Sequence, residues 1–419
     1  MTKQMKYSAG IEQIPEGYKL EYGYVIPKEW KIVRFDKCFH RLTRKNAENN
    51  QNVLTISAQQ GLISQLDYYN TLYASEDKTG YFLLQKGDFA YNKSYSTDYA
   101  YGAIKQLEKY EKGIVSPLYI CFSANQGTNT DFYRQYFEAG RFNREIYKIA
   151  QEGARNHGLL NVSTPEFFSA ALVYPPVAEQ KKIAEILAQC DKVIKLKQQR
   201  LEAELERKKW LMNQLLHHPE KYRVPGFDGN WEKATIGSIT SSFSGGTPTS
   251  SNSCYYSHQG IPFIRSGEIG NSKTALYLSD QGFANSAAKM VKKGDLLYAL
   301  YGANSGECFI SKIDGAINQA ILCIRSKTVD IYFLHYVLAS MKEWIVATYL
   351  QGGQGNLSGA IIKKLKIAYP QKEEQQAIVK IIHSQDIVID KIREELKEFE
   401  ERRKALMQLL LTGIVRVKL

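Results

Sequence analysis

Residues 174–216 read YPPVAEQKKIAEILAQCDKVIKLKQQRLEAELERKKWLMNQLL, and residues 369–411 read YPQKEEQQAIVKIIHSQDIVIDKIREELKEFEERRKALMQLLL. The two stretches align without a gap at a separation of 195 positions, and 17 of the 43 aligned residues are identical. A match of this length within one chain indicates an internal repeat, which bears on the architecture before any short motif does.

Each copy predicts a long helix. Proline is tolerated in the first turn of a helix but not in its interior, and after the opening prolines each copy continues without glycine or further proline. An α-helix rises about 1.5 Å per residue, so about 40 residues extend roughly 60 Å, which suits a spacer. Apolar residues recur at near-heptad spacing, and the two helices are expected to bury these stripes against each other. The residues predicted to pack there are Ile183, Ile186, Val193, Leu201, Leu211, Leu215, Ile378, Ile381, Ile392, Leu396, Phe399, Leu406 and Leu410.

Periodicity alone leaves open a coiled-coil oligomerisation arm, but the sequence between the helices also repeats. Each half has a Trp before a short strand, a Lys-Gly-Asp turn before an apolar strand, a further strand, and a Gly/Asn-rich loop before the Tyr-Pro turn. The matched stretches are 26–35 and 229–239, KGDFAY (86–91) and KGDLLY (293–298), GIVSPLYICF (113–122) and GAINQAILCI (315–324), and 153–161 and 351–359. The predicted order is therefore globular domain, helix, globular domain, helix.

The predicted boundaries follow from these landmarks. They are an N-terminal tail (1–21), a first domain (22–173), a first long helix (174–218), a second domain (219–368), a second long helix (369–412) and a C-terminal tail (413–419).

Composition restricts the class of protein. With 419 residues and 44% hydrophobic residues, the chain can form two or three domains with real cores and is unlike a disordered protein. Its net charge of +12 favours a polyanionic partner, and the two helices supply only +2 of it, so the basic charge belongs mainly to the globular parts. The six cysteines form no CxxC pair and are expected to be buried free thiols. Neither a signal peptide nor an apolar stretch of about 18 residues is found, which predicts a cytoplasmic protein with no membrane contact.

A doubled unit of a mixed α/β domain and a long helix that starts with Tyr-Pro and Glu-Gln resembles the specificity subunit of type I restriction-modification systems. SFSGGTPTSSNSCYY (242–256), IPFIRSGEI (261–269) and YGANSGE (301–307) resemble a target recognition domain of that family. The first half has HRLTRKNAENNQN (40–52) instead, without the glycines, so the two domains should read different sequences. The implied fold is α+β, with two mixed α/β target recognition domains separated by two long antiparallel helices in a pseudo-twofold arrangement.

The resemblance also implies a function. Each recognition domain would read one half of a bipartite site in double-stranded DNA, while the helix pair sets the gap and docks two modification (methyltransferase) subunits. Restriction (translocase and nuclease) subunits would complete the complex. S-adenosylmethionine, ATP and Mg would be bound by the partner subunits, and this chain would bind no cofactor and be non-catalytic.

The residues themselves predict no catalytic or metal site. The chain lacks a GxxxxGK[ST] phosphate loop, and YPPV (174–177) lacks the flanking Asn and the final aromatic residue of an amino-methyltransferase loop, so a helix start fits it better. The adjacent His217 and His218 are expected to cap a helix end or to be solvated, rather than to bind a ligand. Two alternatives stay open: a self-sufficient DNA methyltransferase or nuclease, and a coiled-coil scaffold carrying two domains for ligands other than DNA.

DNA contacts are expected on loops, because Arg, Lys, Asn and Gln read base edges and glycine-rich stretches let backbone amides approach phosphates. Any one of these residues can equally be a solvated loop residue. The tyrosine-rich segment 91–102 can stack on unpaired bases or form a half-buried hairpin. The candidate DNA-binding residues are Arg41, Arg44, Lys45, Asn92, Lys93, Tyr95, Arg155, Asn156, Gly246, Thr247, Arg265, Tyr301, Asn304, Gln354 and Asn356.

Overall fold

The structure is a computed structural model that describes residues 14–57, 60–71, 73–94, 99–150, 160–350 and 356–418. The chain divides into two compact units, one formed by residues 1–196 with 396–419 and the other by residues 197–395. Each unit contains one sheet domain and parts of both long helices. A unit therefore joins segments that are far apart in the sequence.

The first sheet domain extends from Tyr18 to Tyr174 and precedes the first long helix. Its strands are β1 (Tyr18–Glu21), β2 (Tyr24–Pro27), β3 (Lys31–Arg34), β4 (Phe39–Arg41), β5 (Leu54–Ser57), β6 (Gly61–Ser64), β7 (Phe82–Gln85), β8 (Phe89–Asn92), β9 (Ala103–Gln106), β10 (Lys112–Val115), β11 (Ile120–Ala124) and β12 (Ala171–Tyr174). Its helices are α1 (Phe35–Cys38), α2 (Gln65–Tyr69), α3 (Thr130–Glu138), α4 (Asn143–Ile149) and α5 (Thr164–Ser169), and the long helix is α6 (Val177–His217).

The second sheet domain extends from Glu232 to Tyr369 and precedes the second long helix. Its strands are β13 (Glu232–Thr235), β14 (Thr240–Ser244), β15 (Tyr256–Ser257), β16 (Ile261–Ile264), β17 (Tyr277–Leu278), β18 (Lys289–Val291), β19 (Leu296–Ala299), β20 (Cys308–Ile310), β21 (Gly315–Ile317), β22 (Ile321–Ser326) and β23 (Lys366–Tyr369). Its helices are α7 (Ile236–Ile239), α8 (Asp280–Ala284), α9 (Ile331–Ser340), α10 (Lys342–Leu350) and α11 (Gly359–Lys364), and the long helix is α12 (Lys372–Leu411).

Both domains contain the same four-stranded antiparallel sheet. Its strand order is β4-β11-β8-β9 in the first domain and β14-β22-β19-β20 in the second. Phe122 on the second strand lies opposite both Arg41 and Phe89, as Cys323 lies opposite Phe243 and Leu297. The strand after the Trp also pairs with the strand before the Tyr-Pro turn in both domains, as β3 with β12 and β13 with β23. The predicted α+β fold with two sheet-rich domains and two long helices is confirmed.

The Lys-Gly-Asp motifs form equivalent turns before β8 and β19. Gly87 and Gly294 both have φ of +96°, a left-handed conformation that glycine adopts without steric cost. The side chains of Asp88 and Asp295 each accept a hydrogen bond from the backbone N–H three residues earlier, at 2.7 and 2.8 Å. Each motif is therefore a structural turn, as its sequence predicts.

The prediction of one strand in 113–122 and one in 315–324 is wrong, because each stretch forms two strands around a turn. In the first, the N–H of Tyr119 donates to the carbonyl of Ser116 across Pro117, which has no N–H to continue a strand ladder. In the second, the side chain of Asn318 accepts from the N–H of Ala320 and closes the equivalent turn. An apolar run interrupted by one or two turn residues does not show this break by its periodicity.

The domains differ outside the shared sheet. The first has three separate antiparallel pairs among its described residues, β1 with β2, β5 with β6 and β7 with β10. The second has a five-stranded sheet of order β15-β17-β16-β21-β18, in which β16 and β21 are parallel. The two domains are therefore the same in framework and different in the parts that surround it.

The long helices pack against each other in antiparallel order within each unit. The ion pairs Asp191–Arg403 in one unit, and Lys197–Glu395 and Lys208–Asp386 in the other, join residues whose numbers rise along α6 as they fall along α12. At their ends the helices enter the domain cores. Leu187 and Leu411 belong to the core of the first domain, and Met212 and Ile382 belong to that of the second.

Burial along the helices differs from the predicted stripe at several positions. The buried predicted residues are Ile183, Ile378, Ile392 and Leu410. The partly buried ones are Ile186, Val193, Leu201, Leu211, Leu215, Ile381, Leu396, Phe399 and Leu406. Sequence reasoning missed Leu187, Ile382 and Ile389, which are all buried. A heptad pattern describes only helix-to-helix contact, whereas the helix ends also turn a face toward a domain core.

The six cysteines are free, and Cys38, Cys121, Cys308 and Cys323 are buried as expected. Cys254 is exposed and Cys190 is partly exposed, so the expectation that all six thiols are buried is wrong. No helix among the described residues is long and apolar enough to cross a membrane.

Candidate nucleic-acid interface

Glu179, from the Glu-Gln motif at the start of α6, holds three parts of its unit together. Its carboxylate accepts a hydrogen bond from Trp30 Nε1 at 3.0 Å and binds the Arg416 guanidinium at 2.5 and 3.2 Å. Burial leaves 5% of the Glu179 side chain exposed, so these partners satisfy a charge that water does not reach. The Trp before the first strand of the domain is thereby fixed to the helix.

Glu374 repeats this arrangement at the start of α12. It accepts from Arg223 Nε and Nη2 at 2.9 and 2.8 Å, and from Trp231 Nε1 at 3.4 Å. The hydrogen bonds that Arg223 donates to Glu374 raise the pKa of Arg223 above its usual value. Such a bidentate pair fixes orientation as well as distance.

The glutamine of the motif joins the start of the helix to the neighbouring domain helix. Gln180 Nε2 donates to the carbonyl of Pro175 at 2.8 Å, and its Oε1 accepts from the N–H of Asn129, which is the N-cap of α3, at 3.1 Å. Gln375 repeats both bonds in the second copy, at 2.8 and 2.7 Å. Tyr-Pro-x-x-x-Glu-Gln is therefore a structural motif that mounts each domain on its helix.

In the second domain, three loops meet at one end of the four-stranded sheet. They follow β14, follow β19 and precede β22, whose facing residues pair as Ser244 with Leu322 and Ala299 with Ile321. Thr247 Oγ1 donates to Gln319 Oε1 at 2.7 Å, and Gln319 also bonds the Tyr301 side chain. The result is a chain of hydroxyl and amide groups along this edge.

Two further candidates adjoin this chain. A Cβ added at Gly267 would lie 3.3 Å from Asn304 Nδ2, which brings the loop after β16 beside the loop after β19. Exposed Asn356 precedes Leu357, whose N–H donates to the carbonyl of Leu300. The structure therefore places Thr247, Tyr301, Asn304 and Asn356, all predicted to contact DNA, in the loops at this end of the sheet.

The Gly-Gly pair allows this loop to pass close to its neighbours. A Cβ at Gly245 would lie 1.8 Å from the carbonyl oxygen of Ile317, and one at Gly246 would lie 2.6 Å from the Cβ of Ala287. Gly246 is buried, so its role in the structure is close approach to protein rather than exposure.

Arg265 is exposed but its guanidinium is bound to Glu268, at 3.0 and 3.2 Å. Burial alone would raise the pKa of Glu268, but hydrogen bonds from Arg265, Thr274 and the Ala275 N–H lower it to about 2. Arg265 thus stabilises its own turn, and a base contact would have to compete with this pair.

In the first domain the candidates within the described residues fall into two groups. Arg41 and Asn92 end β4 and β8, which flank β11, and Arg41 is exposed with no ion pair to another described residue. Lys93 follows Asn92 and is partly exposed. These residues lie at the end of the sheet that corresponds to the polar loops of the second domain.

The other group is bound within the protein. Arg44 donates to the carbonyl of Leu83 and pairs with Asp88 of the Lys-Gly-Asp turn at 2.9 Å. Lys45 donates to the carbonyl of Gly80 at 2.8 Å and lies over the Phe82 ring. The structure therefore gives both side chains a role in holding the loop after β4.

Comparison with known proteins identifies the family. The family described as the type I restriction modification DNA specificity domain matches residues 228–401. The MjaX type I restriction enzyme specificity subunit of Methanocaldococcus jannaschii is 30% identical over 310 residues, 70% of this chain and 70% of that protein. This chain belongs to the type I restriction enzyme specificity subunits.

The likeness to other specificity subunits covers nearly the whole chain. The MjaVIII specificity subunit of the same organism is 23% identical over 426 residues, covering 96% of this chain and 97% of that protein. The solved structure of the type I restriction-modification S subunit from M. genitalium has a TM-score of 0.54 at 13% identity, covering 94% of this chain and 97% of that one. The fold of that S subunit is therefore shared by both halves of this chain.

For this specificity subunit, four candidates lie outside the described residues: Tyr95, Arg155, Asn156 and Gln354. Sequence reasoning missed Gln319, although the Asn-Gln pair before β22 is a signal for amide groups at a strand end. It also missed Leu118, which is 65% exposed in the equivalent turn of the first domain. No group of His, Cys, Asp or Glu side chains among the described residues is placed to hold a metal ion.

Proposed function

We propose that this chain is the DNA-reading subunit of a type I restriction-modification complex, with each sheet domain reading one half of a bipartite target in double-stranded DNA. The observation that carries this proposal is the repeated mounting: Glu179 and Glu374 fix two different domains to one helix pair through equivalent contacts. Two domains that are attached to the helices in the same way but present different loops to DNA suit a target with two different halves.

The reading edges differ in chemistry. The second domain offers amide and hydroxyl groups on Gln319, Thr247 and Tyr301, which can donate to and accept from base edges. The first offers the exposed cation Arg41 and the apolar Leu118, which suit guanine and a thymine methyl group. The two half-sites are therefore expected to differ in sequence.

The helix pair is proposed to set the gap between half-sites and to dock two methyltransferase subunits. S-adenosylmethionine would be bound by those subunits, and ATP and Mg would serve the restriction subunits of the full complex. This chain would select the DNA sequence and would contribute none of the catalytic groups.

The proposal is tested by co-expressing the chain with the methyltransferase subunit of the same restriction-modification system and mapping methylated adenines across the host genome. One bipartite motif, absent when this chain is omitted, is expected. A stable complex without new methylation would favour a scaffold, and S-adenosylmethionine binding by the isolated chain would favour a self-sufficient methyltransferase.

Matched insertions test the helix pair as a spacer. Four residues added after both Arg200 and Glu395, which are equivalent positions, lengthen each helix by about 6 Å, nearly two base-pair steps. A longer gap with unchanged half-sites is expected. An insertion in α6 alone should abolish methylation rather than shift the gap, because the helices then lose their common register. Altered half-sites with an unchanged gap would contradict the spacer role.

A further inference from the structure

A polar cluster joins the first sheet domain to both long helices. Gln135, on α3, is fully buried and donates through Nε2 to Asp191 Oδ2 on α6 at 3.0 Å. Its Oε1 accepts from Arg403 Nη2 on α12 at 2.7 Å. Arg403 Nε closes the triangle on Asp191 Oδ1 at 2.5 Å. We name Gln135, Asp191 and Arg403 node 1.

The second sheet domain has a cluster at the equivalent place. Tyr336, on α9, is 3% exposed and donates its hydroxyl to Asp386 Oδ2 on α12 at 2.7 Å. Lys208 Nζ on α6 pairs with Asp386 Oδ1 at 2.6 Å and lies 5.6 Å from the centre of the Tyr336 ring. We name Tyr336, Asp386 and Lys208 node 2.

The nodes are related by the internal repeat. Asp191 and Asp386 are 195 positions apart, as are Lys208 and Arg403, so each node takes its acid and its base from opposite copies. Each node lies where a domain helix meets both long helices, and all three residues of a node lie in one unit.

Such a node fixes an axial position in a way that apolar contact does not. Sliding one helix by one residue moves its side chains about 1.5 Å along the axis, which is enough to break a hydrogen bond between groups held at 2.5 to 3.0 Å. An apolar stripe can slide and still bury similar area, whereas a shifted node leaves partly buried charged side chains without their partners.

We infer that nodes 1 and 2 hold each sheet domain at one axial position on the helix pair and thereby restrict the target to a single gap length. This rests on the proposed function. In it, Arg403 and Lys208 are positioning residues that touch no DNA base, and their effect is on the spacing between half-sites rather than on the bases read.

Arg403→Met tests node 1, because methionine keeps an unbranched apolar side chain and removes the charge. Arg403→Lys is the conservative variant, since node 2 has lysine at the equivalent position. Arg402→Met is the matched control, because the neighbouring Arg402 side chain is 72% exposed and its ion pair with Glu398 and its contact with the Phe399 ring are both within its own helix. Each variant is assembled with the methyltransferase and assayed on duplexes with the native gap and with gaps one base pair shorter or longer.

Wild type, Arg403→Lys and Arg402→Met are expected to methylate only the native gap. Arg403→Met is expected to methylate at least one altered gap at least tenfold faster than wild type does, with both half-sites unchanged. A merely structural role would lower methylation at every gap alike, and that result would overturn the inference, as would unchanged gap discrimination in Arg403→Met.

A variant at node 2 tests the inference if Arg403→Met does not fold. Lys208→Met should broaden the gap in the same way. Lys209→Met is the control, because the Lys209 side chain is 65% exposed and its ion pair with Glu343 on α10 lies at the surface, where such pairs contribute little. Unchanged gap discrimination in Lys208→Met would then overturn the inference. A wild-type complex that methylates no bipartite motif would overturn the proposed function, whereas a wild-type bipartite motif together with variants that keep the native gap discrimination would overturn only this inference.

Discussion

Arg416, beyond the end of α12, binds the buried carboxylate of Glu179, which lies 237 residues earlier near the start of α6. The second unit has the same relationship between Arg223, beyond the end of α6, and Glu374, near the start of α12. The segment after each long helix thus completes the domain mounted on the other helix. Each unit therefore depends on parts of the chain that are distant in sequence.

Glu374→Gln is expected to destabilise the second unit. The substitution removes the charge that pairs with Arg223, and breaking a buried ion pair in this way costs roughly 3 kcal/mol. Urea unfolding should show this loss in the free energy of unfolding. Glu373→Gln, at an exposed neighbouring position, should change it by less than about 0.5 kcal/mol. Equal stability of the two variants would show that the Arg223 pair contributes nothing.

Gly245→Ala is expected to damage the second reading edge. The added Cβ would lie 1.8 Å from the carbonyl oxygen of Ile317, so the loop must move, at a cost of about 1–3 kcal/mol. Differential scanning calorimetry should show a lower melting temperature, and a footprint should weaken at one half-site only. Gly229→Ala is the control, because nothing lies within 4 Å of a Cβ there. Loss of both half-sites together would argue against separate readers.

Gln319→Ala is expected to relax one base position in one half-site. Its amide bonds Thr247 and Tyr301 at the exposed edge, and loss of a base-edge contact costs about 1–3 kcal/mol of discrimination. Competition binding with single-base variants of the mapped target measures this directly. Exposed Gln281, on α8, gives the matched control Gln281→Ala. Uniform weakening across all target sequences would instead indicate a phosphate contact or a change in the loop.

Acid is expected to destabilise the second unit through His335. Burial, helped by the positive charge of Lys208, lowers the pKa of His335 to about 4, although Asp386 acts in the opposite direction. Since the unfolded histidine takes up its proton near pH 6.5, the stabilisation is complete above that pH and is lost as pH falls toward 4. The free energy of unfolding lost in this way is at most about 3 kcal/mol.

Urea unfolding of wild type and His335→Gln across this pH range measures the effect. The wild type should lose more stability than His335→Gln between pH 6.5 and 4, whereas His258→Gln, at an exposed position, should follow the wild type. If the free energy of unfolding of wild type and of His335→Gln changed with pH in the same way, His335 would be excluded as the source of the acid sensitivity.

Local sequence was sufficient for the framework of the fold. Proline at the start of each helix, and no glycine after it, predicted α6 and α12 because these residues act on the backbone where they stand. The Lys-Gly-Asp turns were predictable for the same reason. The break at Ser116-Pro117 and Asn318 was missed, since a single turn inside an apolar run hardly changes its composition.

The candidate site was less predictable than the fold. Residue type pointed to polar loops, and the structure gathers Thr247, Tyr301 and Asn304 at one sheet edge, where their contact with DNA stays a prediction. It also shows that Arg44 and Arg265 are bound to Asp88 and Glu268, which a list of loop cations could not reveal. Partner choice depends on distances between loops that sequence spacing does not specify.

The sequence by itself determined that this protein is a duplicated pair of sheet domains and long helices, because repetition, proline position and apolar periodicity are properties of neighbouring residues. Only the tertiary structure decided which polar groups meet: Arg416 with Glu179, Gln135 with Asp191 and Arg403, and Gln319 with Thr247. Those contacts join residues up to hundreds of positions apart. They exist because folding brings separate backbones to within hydrogen-bond distance, which no local pattern encodes.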